Sequence, residues 1–180
     1  MRFYLHPPLE KTFRGHGSDF ALVGGATGLS VDDPVIPEAM RVAEERGIDI
    51  DFEAEDLGDV HPNTVRIVAT GPSREIEIVG SSIGGGVIDV FRINGFDANY
   101  KGNSPTLMMF YTDRPAMIHQ VTGVIAGEGI NIASLYCSRK QRGREAFMHV
   151  DLDSPLSQDA MTRVRAMEGV ARALYVDRIP

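Results

Sequence analysis

The chain has 180 residues, of which 43% are hydrophobic and 24% charged, and a formal net charge of −7. This balance is typical of a globular protein and excludes a largely disordered chain. The negative charge disfavours nucleic acid as a partner, since binding to phosphates depends on lysine and arginine, and no apolar run reaches the roughly 20 residues that span a bilayer. The N-terminus lacks the apolar stretch of a secretory signal, which predicts a cytoplasmic protein.

The cysteine content limits the cofactors that the chain can hold. Cys137 is the single cysteine of the sequence. One thiol excludes an internal disulfide and a self-contained site of several thiolates, such as an iron–sulfur cluster. The apolar stretch that contains Cys137 predicts a small buried side chain, and we assign no metal ligands to the chain.

Residues 1–103 show the pattern of an α/β domain built on a largely antiparallel sheet. Arg2–His6 predicts a strand, and Ser18 or Asp19 is placed to cap a short helix after it. A second helix is predicted over residues 37–47, with proline at its start and glycine at its end. Alternation with period two then predicts further strands over residues 48–53, 65–70, 75–79 and 87–93.

The pattern restarts near residue 104 and follows the order βαββαβ of the ferredoxin-like fold. Acidic side chains outnumber basic ones before this point, whereas the two are nearly balanced after it. The sequence therefore predicts two domains, 1–103 and 104–180, and an α+β fold. The elements predicted for the second domain are a strand over 106–111, a helix over 115–128, strands over 132–138 and 145–152, a helix over 158–167 and a strand over 170–176.

Two segments of the second domain, Asp113–Ile118 and Gly127–Ile132, resemble the ACT family of small regulatory domains. The resemblance implies that two copies pair side by side, so that the protein is a homo-oligomer. It also implies that an amino-acid effector binds at the seam between the copies.

The residues themselves suggest how such a ligand would be held. Asp113 and Pro115 are expected to start a helix whose free backbone N–H groups suit a carboxylate. Asn131, at the start of the next strand, is expected to hydrogen-bond the same ligand. Many ligand-binding members of the family have glycine at the position of Ala116, whose methyl group would crowd a ligand close to the backbone.

Three segments of the first domain carry a second and sharper resemblance. They are Gly15–Asp19, His61–Thr64 and Ser82–Gly86. In this order, and followed by an ACT-like domain, they resemble the beta subunit of the bacterial iron–sulfur-dependent L-serine dehydratases. The resemblance extends from about Phe3 to the C-terminus.

This resemblance implies that the chain takes part in converting L-serine to pyruvate and ammonia. It also implies a [4Fe-4S] cluster whose cysteine ligands belong to a separate alpha subunit, which agrees with the single Cys137. Beta subunits of the family usually begin with a further segment that contains Gly-Pro-Ser-Ser-Ser-His. A polypeptide without that segment is expected to be inactive by itself.

Two histidines are candidates for the base that removes the α-hydrogen of serine, since imidazole titrates near neutral pH. His61 opens a turn that Pro62 fixes, and His16 lies between two glycines, where a ligand can approach the backbone. The resemblance implies catalytic roles for both. The residues expected to bind the substrate flank them: Asn63, Thr64, Gly17 and Ser18.

Other segments have structural explanations. Ser81–Gly86 lacks the lysine of a phosphate-binding P-loop and leads into a strand, so we expect a bulged hairpin or a close approach of the backbone at a subunit interface. His6, His119 and His149 lie in patterned segments without a supporting motif. We expect these three histidines to be structural.

A second hypothesis for the whole chain is a non-catalytic ACT regulatory protein that binds an amino acid. The expected absence of the N-terminal segment and the methyl group of Ala116 favour this alternative. The motifs around His16 and His61 favour the dehydratase subunit.

Overall fold

The computed structural model describes residues 1–179 and confirms the predicted α+β class, with two mostly antiparallel sheets. The chain packs as two compact units, the first spanning Met1–Asp89 and the second starting at Val90. Among the helices of residues 1–179, none combines the length and the apolar character that crossing a membrane requires.

The first unit contains four strands and three short helices. Strand β1 is parallel to β2 and antiparallel to β3, and β3 is antiparallel to β4, which gives the order β2-β1-β3-β4. The elements are β1 (Arg2–Leu5), α1 (Pro7–Glu10), α2 (Ser18–Ala26), a 3-10 turn (Ile36–Glu38), α3 (Ala39–Glu45), β2 (Asp51–Ala54), β3 (Thr64–Thr70) and β4 (Glu75–Gly84).

The core of this unit lies between its sheet and its helices. Phe3 and Leu5 of β1 are completely buried, and each contributes about 1.5–3 kcal/mol by leaving water. The ring of Phe52 stacks on Phe3 at 4.9 Å and lies 5.2 Å from Phe13. Val23 of α2 closes the cluster from the helical side.

The start of α2 differs from the prediction. Its N-cap is Gly17, with φ +70°, and no side chain caps the helix. Ser18 and Asp19 are therefore the first two helical residues and not its cap. Glycine takes this position because a residue with a Cβ atom is strained in the left-handed conformation.

The second unit contains the predicted βαββαβ order. The sheet has the order β10-β7-β9-β8, and every neighbouring pair of strands is antiparallel. Strand β5 (Val87–Ile93) crosses the division between the units. The other elements are β6 (Phe96–Tyr100), β7 (Thr106–Thr112), α4 (Met117–Gly127), β8 (Ile132–Arg139), β9 (Glu145–Leu152), α5 (Gln158–Arg165) and β10 (Val170–Val176).

The two faces of the second sheet are covered differently. Both helices pack on one face, where Val121 and Met161 meet Met148 in a largely apolar core. On the other face the ring of Phe96, from β6, lies 6.0 Å from Phe110 and 6.2 Å from Phe147. The sequence did not predict β6, and its packing explains why the compact units divide after Asp89, upstream of the predicted boundary at residue 103.

Candidate functional site

The segment His61–Thr64 lies at the end of the first sheet where β1 and β2 finish and β3 begins. Thr64 is completely buried, and its hydroxyl donates to the carbonyl of His61 at 2.6 Å. Its oxygen lies 2.7 Å from the hydroxyl of Ser81 on β4. Because the single hydroxyl proton of Thr64 is already used, Ser81 donates in the second bond. These contacts attach the turn that contains His61 to the sheet.

The ring of His61 is held by its own turn. The backbone N–H of Asn63 donates to Nδ1 at 3.1 Å, and the carbonyl of Asn63 accepts from the N–H of Ser82 at 3.0 Å. Because Nδ1 accepts this hydrogen bond, it carries no proton, and the proton of the neutral ring is on Nε2. His61 is exposed, so Nε2–H is a hydrogen-bond donor that faces solvent.

His16 has the opposite arrangement. Its Nδ1 lies 3.0 Å from the carbonyl oxygen of Thr12. A carbonyl only accepts, so Nδ1 carries the proton and the neutral ring has its lone pair on Nε2. His16 is exposed, and this nitrogen is therefore a free proton acceptor, as a general base requires.

Gly17 and Ser18 follow His16 and lead into α2. The N–H of Ser18 donates to the carbonyl of Phe13 at 2.8 Å, which anchors the loop to the apolar core. A Cβ atom on Gly17 would meet no atom within 4 Å, so the space beside this residue is open. No hydrogen bond or ion pair among residues 1–179 joins this loop to the turn of His61.

A cavity of about 280 Å³ opens beside the segment that precedes His16. Its floor includes the apolar side chains of Phe13 and Phe52, and its rim includes Glu10, Lys11 and Arg14. An apolar floor with charged groups at the rim is common in sites for small molecules. The cavity is large enough for an amino acid.

His6 also lies at the end of the first sheet, and sequence reasoning missed this. Its side chain is 14% exposed, and Nδ1 lies 4.0 Å from Oδ1 of Asp56. The same nitrogen accepts from the N–H of Leu57 at 3.4 Å. The available signal was the position of His6, directly after a strand that neighbours the start of β3.

The candidate ligand residues of the second unit are arranged differently from the prediction. Asp113 does not cap α4, because its Oδ2 accepts from Nη1 of Arg139 at 2.9 Å and from the N–H of Gly143 at 3.0 Å. The hydrogen bond from Gly143 and then the one from Arg139 hold the pKa of the Asp113 carboxyl below its usual value. Asp113 therefore braces the turn between β8 and β9.

Helix α4 begins at Met117, and its N-cap is Ala116 with φ +68°. This position has the left-handed conformation that favours glycine, in agreement with the glycine expected from the resemblance. Asn131 lies just before β8, where its Nδ2 donates to Oδ2 of Asp153 at 2.8 Å. No donor among residues 1–179 forms a hydrogen bond with its amide oxygen.

Replacing Ala116 with glycine is expected to raise the free energy of unfolding by about 1 kcal/mol, because the left-handed conformation strains any residue with a Cβ atom. Urea denaturation measures the change. Ala126, an exposed residue inside the same helix, provides the control, since glycine there should lower the free energy of unfolding by about 0.5–1 kcal/mol. An equal loss in both variants would contradict the interpretation of Ala116.

Two curated relatives match this chain over almost its whole length. The chain is 34% identical over 166 residues to the probable L-serine dehydratase beta chain of Bacillus subtilis (strain 168), which covers 92% of this chain and 76% of the relative. It is 34% identical over 179 residues to the L-serine dehydratase beta chain of Peptoniphilus asaccharolyticus, with coverage of 98% and 81%. The chain belongs to the L-serine dehydratase beta-chain family.

Other proteins match a smaller part of this beta-chain family member. It is 23% identical over 129 residues to D-3-phosphoglycerate dehydrogenase of Methanocaldococcus jannaschii, which covers 72% of this chain and 24% of the dehydrogenase. The ACT domain from the GTP pyrophosphokinase of Chlorobium tepidum matches with a TM-score of 0.33 and 20% identity, over 40% of this chain and 95% of that domain. No family model matches the chain.

Cys137 of this beta-chain family member is exposed, contrary to the prediction. It lies on β8, which is an edge strand of its sheet, so the apolar stretch around it is covered on fewer sides than expected. Partial burial of the sulfur still raises the pKa of the thiol, which keeps it protonated near neutral pH. Within residues 1–179, no three histidine, cysteine, aspartate or glutamate side chains are grouped as ligands for a metal ion.

Proposed function

We propose that the chain is the beta subunit of an L-serine dehydratase, which converts L-serine to pyruvate and ammonia together with a cysteine-containing alpha subunit. The observation that supports this most directly is the 34% identity to two L-serine dehydratase beta chains over 92% and 98% of the chain. Both relatives are beta chains, which supports a companion subunit for this chain.

The reaction removes the α-hydrogen and the β-hydroxyl of serine, and the resulting aminoacrylate hydrolyses to pyruvate and ammonia. His16 suits the first step, because the bond from its Nδ1 to the carbonyl of Thr12 leaves Nε2 as an acceptor. His61 suits a different role, since its Nε2–H can donate to the carboxylate or the departing hydroxyl of the substrate. We therefore propose His16 as the base and His61 as the donor.

The four residues expected to bind substrate divide into two kinds. Gly17 and Ser18 lie beside the open space next to His16 and suit direct contact with the substrate. Asn63 is exposed in the turn of His61 and therefore also suits direct contact with the substrate. Thr64 is buried and its hydroxyl is bonded on both sides, so we propose that it positions His61.

The cluster expected for this family does not fit the residues of this chain. A [4Fe-4S] cluster usually takes four cysteine thiolates, whereas this sequence contains Cys137 alone. We propose that the thiolates belong to the alpha subunit and that the active site forms where the two chains meet. The roles proposed for His16 and His61 depend only on the atoms of this chain.

The proposed function is tested by producing the chain with the alpha subunit encoded in the same genome, under anaerobic conditions. The complex is expected to form pyruvate from L-serine, whereas the chain alone is not. Lactate dehydrogenase coupled to NADH measures the pyruvate. A complex that carries its cluster and yet forms no pyruvate would contradict the proposal.

We also propose that the second unit pairs with a second copy of itself and binds L-serine at the seam. Strand β8 forms hydrogen bonds with β9 and is the last strand of its sheet, so its other edge can pair with another chain. Leu135, on β8, is 36% exposed, and Ile118, near the start of α4, is 48% exposed. Burying these apolar side chains would stabilise such a dimer.

Replacing Asn131 with alanine is expected to weaken L-serine binding about 5- to 10-fold, since a neutral hydrogen bond contributes roughly 1 kcal/mol. Isothermal titration calorimetry on the full chain measures the affinity. Asn103, an exposed asparagine, is the control and should tolerate alanine without a change. If serine binds equally well to both variants, Asn131 is not a ligand residue.

A non-catalytic amino-acid-binding protein is the second candidate. The comparison with the D-3-phosphoglycerate dehydrogenase favours this candidate, because 72% of this chain matches only 24% of that enzyme. A sequence similar to most of this chain is thus a minor part of an enzyme that catalyses a different reaction. The two candidates differ in one measurement. A regulatory protein would bind an amino acid and never produce pyruvate, whichever alpha subunit is added.

A further inference from the structure

The cavity beside the segment that precedes His16 has three charged side chains at its rim. They are Glu10, Lys11 and Arg14. Among residues 1–179, no hydrogen bond or ion pair involves the charged group of any of the three. Two positive charges and one negative charge therefore surround a space of about 280 Å³ without neutralising one another. Such a rim favours a small ligand that carries an anionic group beside a cationic one.

Arg14 is the cation whose position is best defined. Its side chain is exposed, and its guanidinium carbon lies 5.4 Å from the centre of the Phe13 ring, which is part of the cavity floor. A guanidinium held over an aromatic ring still presents N–H donors at the edges of its plane. Arginine stays charged in proteins, and its paired donors match the two oxygens of a carboxylate.

The cavity adjoins both motifs of the candidate site. Gly15, which precedes His16, lines it. Leu5 also lines it and pairs with Val65, the first residue after the turn His61–Thr64. In an amino acid the carboxylate and the α-hydrogen are bonded to the same carbon. A group that binds the carboxylate beside His16 therefore brings the α-hydrogen towards that base.

We infer that Arg14 binds the carboxylate of L-serine in this cavity and so restricts the site to amino acids with a free carboxylate. This inference rests on the proposed function and adds a specificity residue to the same site. Lys11 adds positive charge at the rim, and Glu10 suits the ammonium group of the same ligand. With the carboxylate bound to Arg14, the Nε2–H of His61 is left for the departing hydroxyl.

The test compares L-serine with L-serinamide, which lacks the carboxylate, for binding to the full chain without an alpha subunit. Titration of the ¹⁵N-labelled chain is followed by NMR, because the amide signal of Gly15 reports on this cavity and not on the site proposed in the second unit. Arg14→Gln is expected to weaken L-serine binding about 10- to 100-fold, the range for a lost hydrogen bond to a charged group. The affinity for L-serinamide should stay the same.

Arg74→Gln is the matched control, at an exposed arginine between β3 and β4 that does not line the cavity. It should change neither affinity. Arg14→Lys retains the charge but loses the paired donors, so its affinity for L-serine should lie between those of the wild type and Arg14→Gln. If Arg14→Gln does not fold, the comparison of Arg14→Lys with the wild type decides the question.

Three results would overturn the inference: equal losses for the two ligands, an unchanged affinity for L-serine, or a wild-type Gly15 signal that does not respond to L-serine. The proposed function is tested separately, since these titrations involve neither an alpha subunit nor turnover. A cluster-containing complex that forms no pyruvate would contradict the proposed function, whereas the loss of discrimination between the two ligands would contradict only the role of Arg14.

Discussion

Replacing His16 with alanine is expected to lower pyruvate formation by the proposed complex with an alpha subunit about 100- to 10,000-fold, the range usual for loss of a general base. The reason is the bond between Nδ1 and the carbonyl of Thr12, which leaves Nε2 unprotonated in the neutral ring. The measurement is kcat/KM for L-serine in the complex with the alpha subunit. The exposed His119 is the control, and alanine there should leave the rate unchanged.

The pH dependence of kcat/KM distinguishes the roles proposed for His16 and His61. A general base must be unprotonated, so kcat/KM of the wild-type complex should decrease on the acidic side of its pH profile. His16→Ala should lose this acidic limb, and added imidazole should restore part of the rate. His61→Ala should lower the rate but keep the limb, because His61 is proposed to donate from Nε2. The opposite pattern would assign the base to His61.

The ferredoxin-like part of the fold could be predicted from sequence because its turns are marked by residues with special backbone conformations. Gly129 and Gly169, which follow α4 and α5, both have positive φ angles of +70° and +89°. The continuous burial of residues 146–150 within Glu145–Leu152 likewise marks a central strand with both faces covered. Local pattern and tertiary packing agree here, and the predicted order βαββαβ is confirmed.

Features that depend on distant partners could not be predicted in this way. Asp113 precedes a helix and resembles a cap, but its carboxylate is taken by Gly143 and Arg139, which follow much later in the chain. The segment Phe96–Tyr100 contains aspartate and asparagine, which are uncommon in strands. It forms β6 because Phe96 packs on the aromatic face of the second sheet.

The candidate site likewise has features that the local sequence predicts and features that it does not. The motifs placed His16 and His61 in loops, and the structure agrees with that placement. Which nitrogen of each ring carries the proton depends on the carbonyl of Thr12 in one case and on the N–H of Asn63 in the other. Residue type alone does not reveal these contacts, because they depend on the backbone path of each turn.

His149 is expected to make the folded protein less stable as the pH falls below about 6.5, the usual pKa of histidine. Its ring is completely buried, and among residues 1–179 neither nitrogen forms a hydrogen bond of normal geometry, although the backbone of Asn99 interacts weakly with the ring. Tyr136 stacks on it at 5.5 Å, and Phe147 lies 6.0 Å away. A proton on this ring would place a charge in an aromatic core.

Burial lowers the pKa of His149 more than its polar neighbours raise it. Those neighbours are the carboxylate of Asp151, which lies two residues along β9, and the backbone of Asn99 on β6. Asp151 already accepts from the hydroxyls of Thr106 and Ser134, at 2.8 and 2.6 Å. The hydroxyl of Tyr100 is buried nearby in the same unit and has a raised pKa, so it stays neutral.

The sign of the effect follows from the lowered pKa. Above pH 6.5 the ring is neutral in both the folded and the unfolded chain, so it contributes no pH dependence. As the pH falls through that value the unfolded chain takes up a proton that the folded chain does not, and the free energy of unfolding decreases. The loss continues until the pH passes the folded pKa and amounts to about 1.4 kcal/mol for each unit by which burial lowers that pKa.

Urea denaturation of the full chain at pH 7.5, 6.5 and 5.5, followed by circular dichroism, measures this loss. His149→Phe keeps an aromatic ring against Tyr136 and removes the titrating group, so its free energy of unfolding should decrease less between pH 7.5 and 5.5 than that of the wild type. His119→Phe, at an exposed position on α4, should retain the wild-type slope. If His149→Phe loses stability with pH as steeply as the wild type, another group causes the acid sensitivity and the buried ring does not.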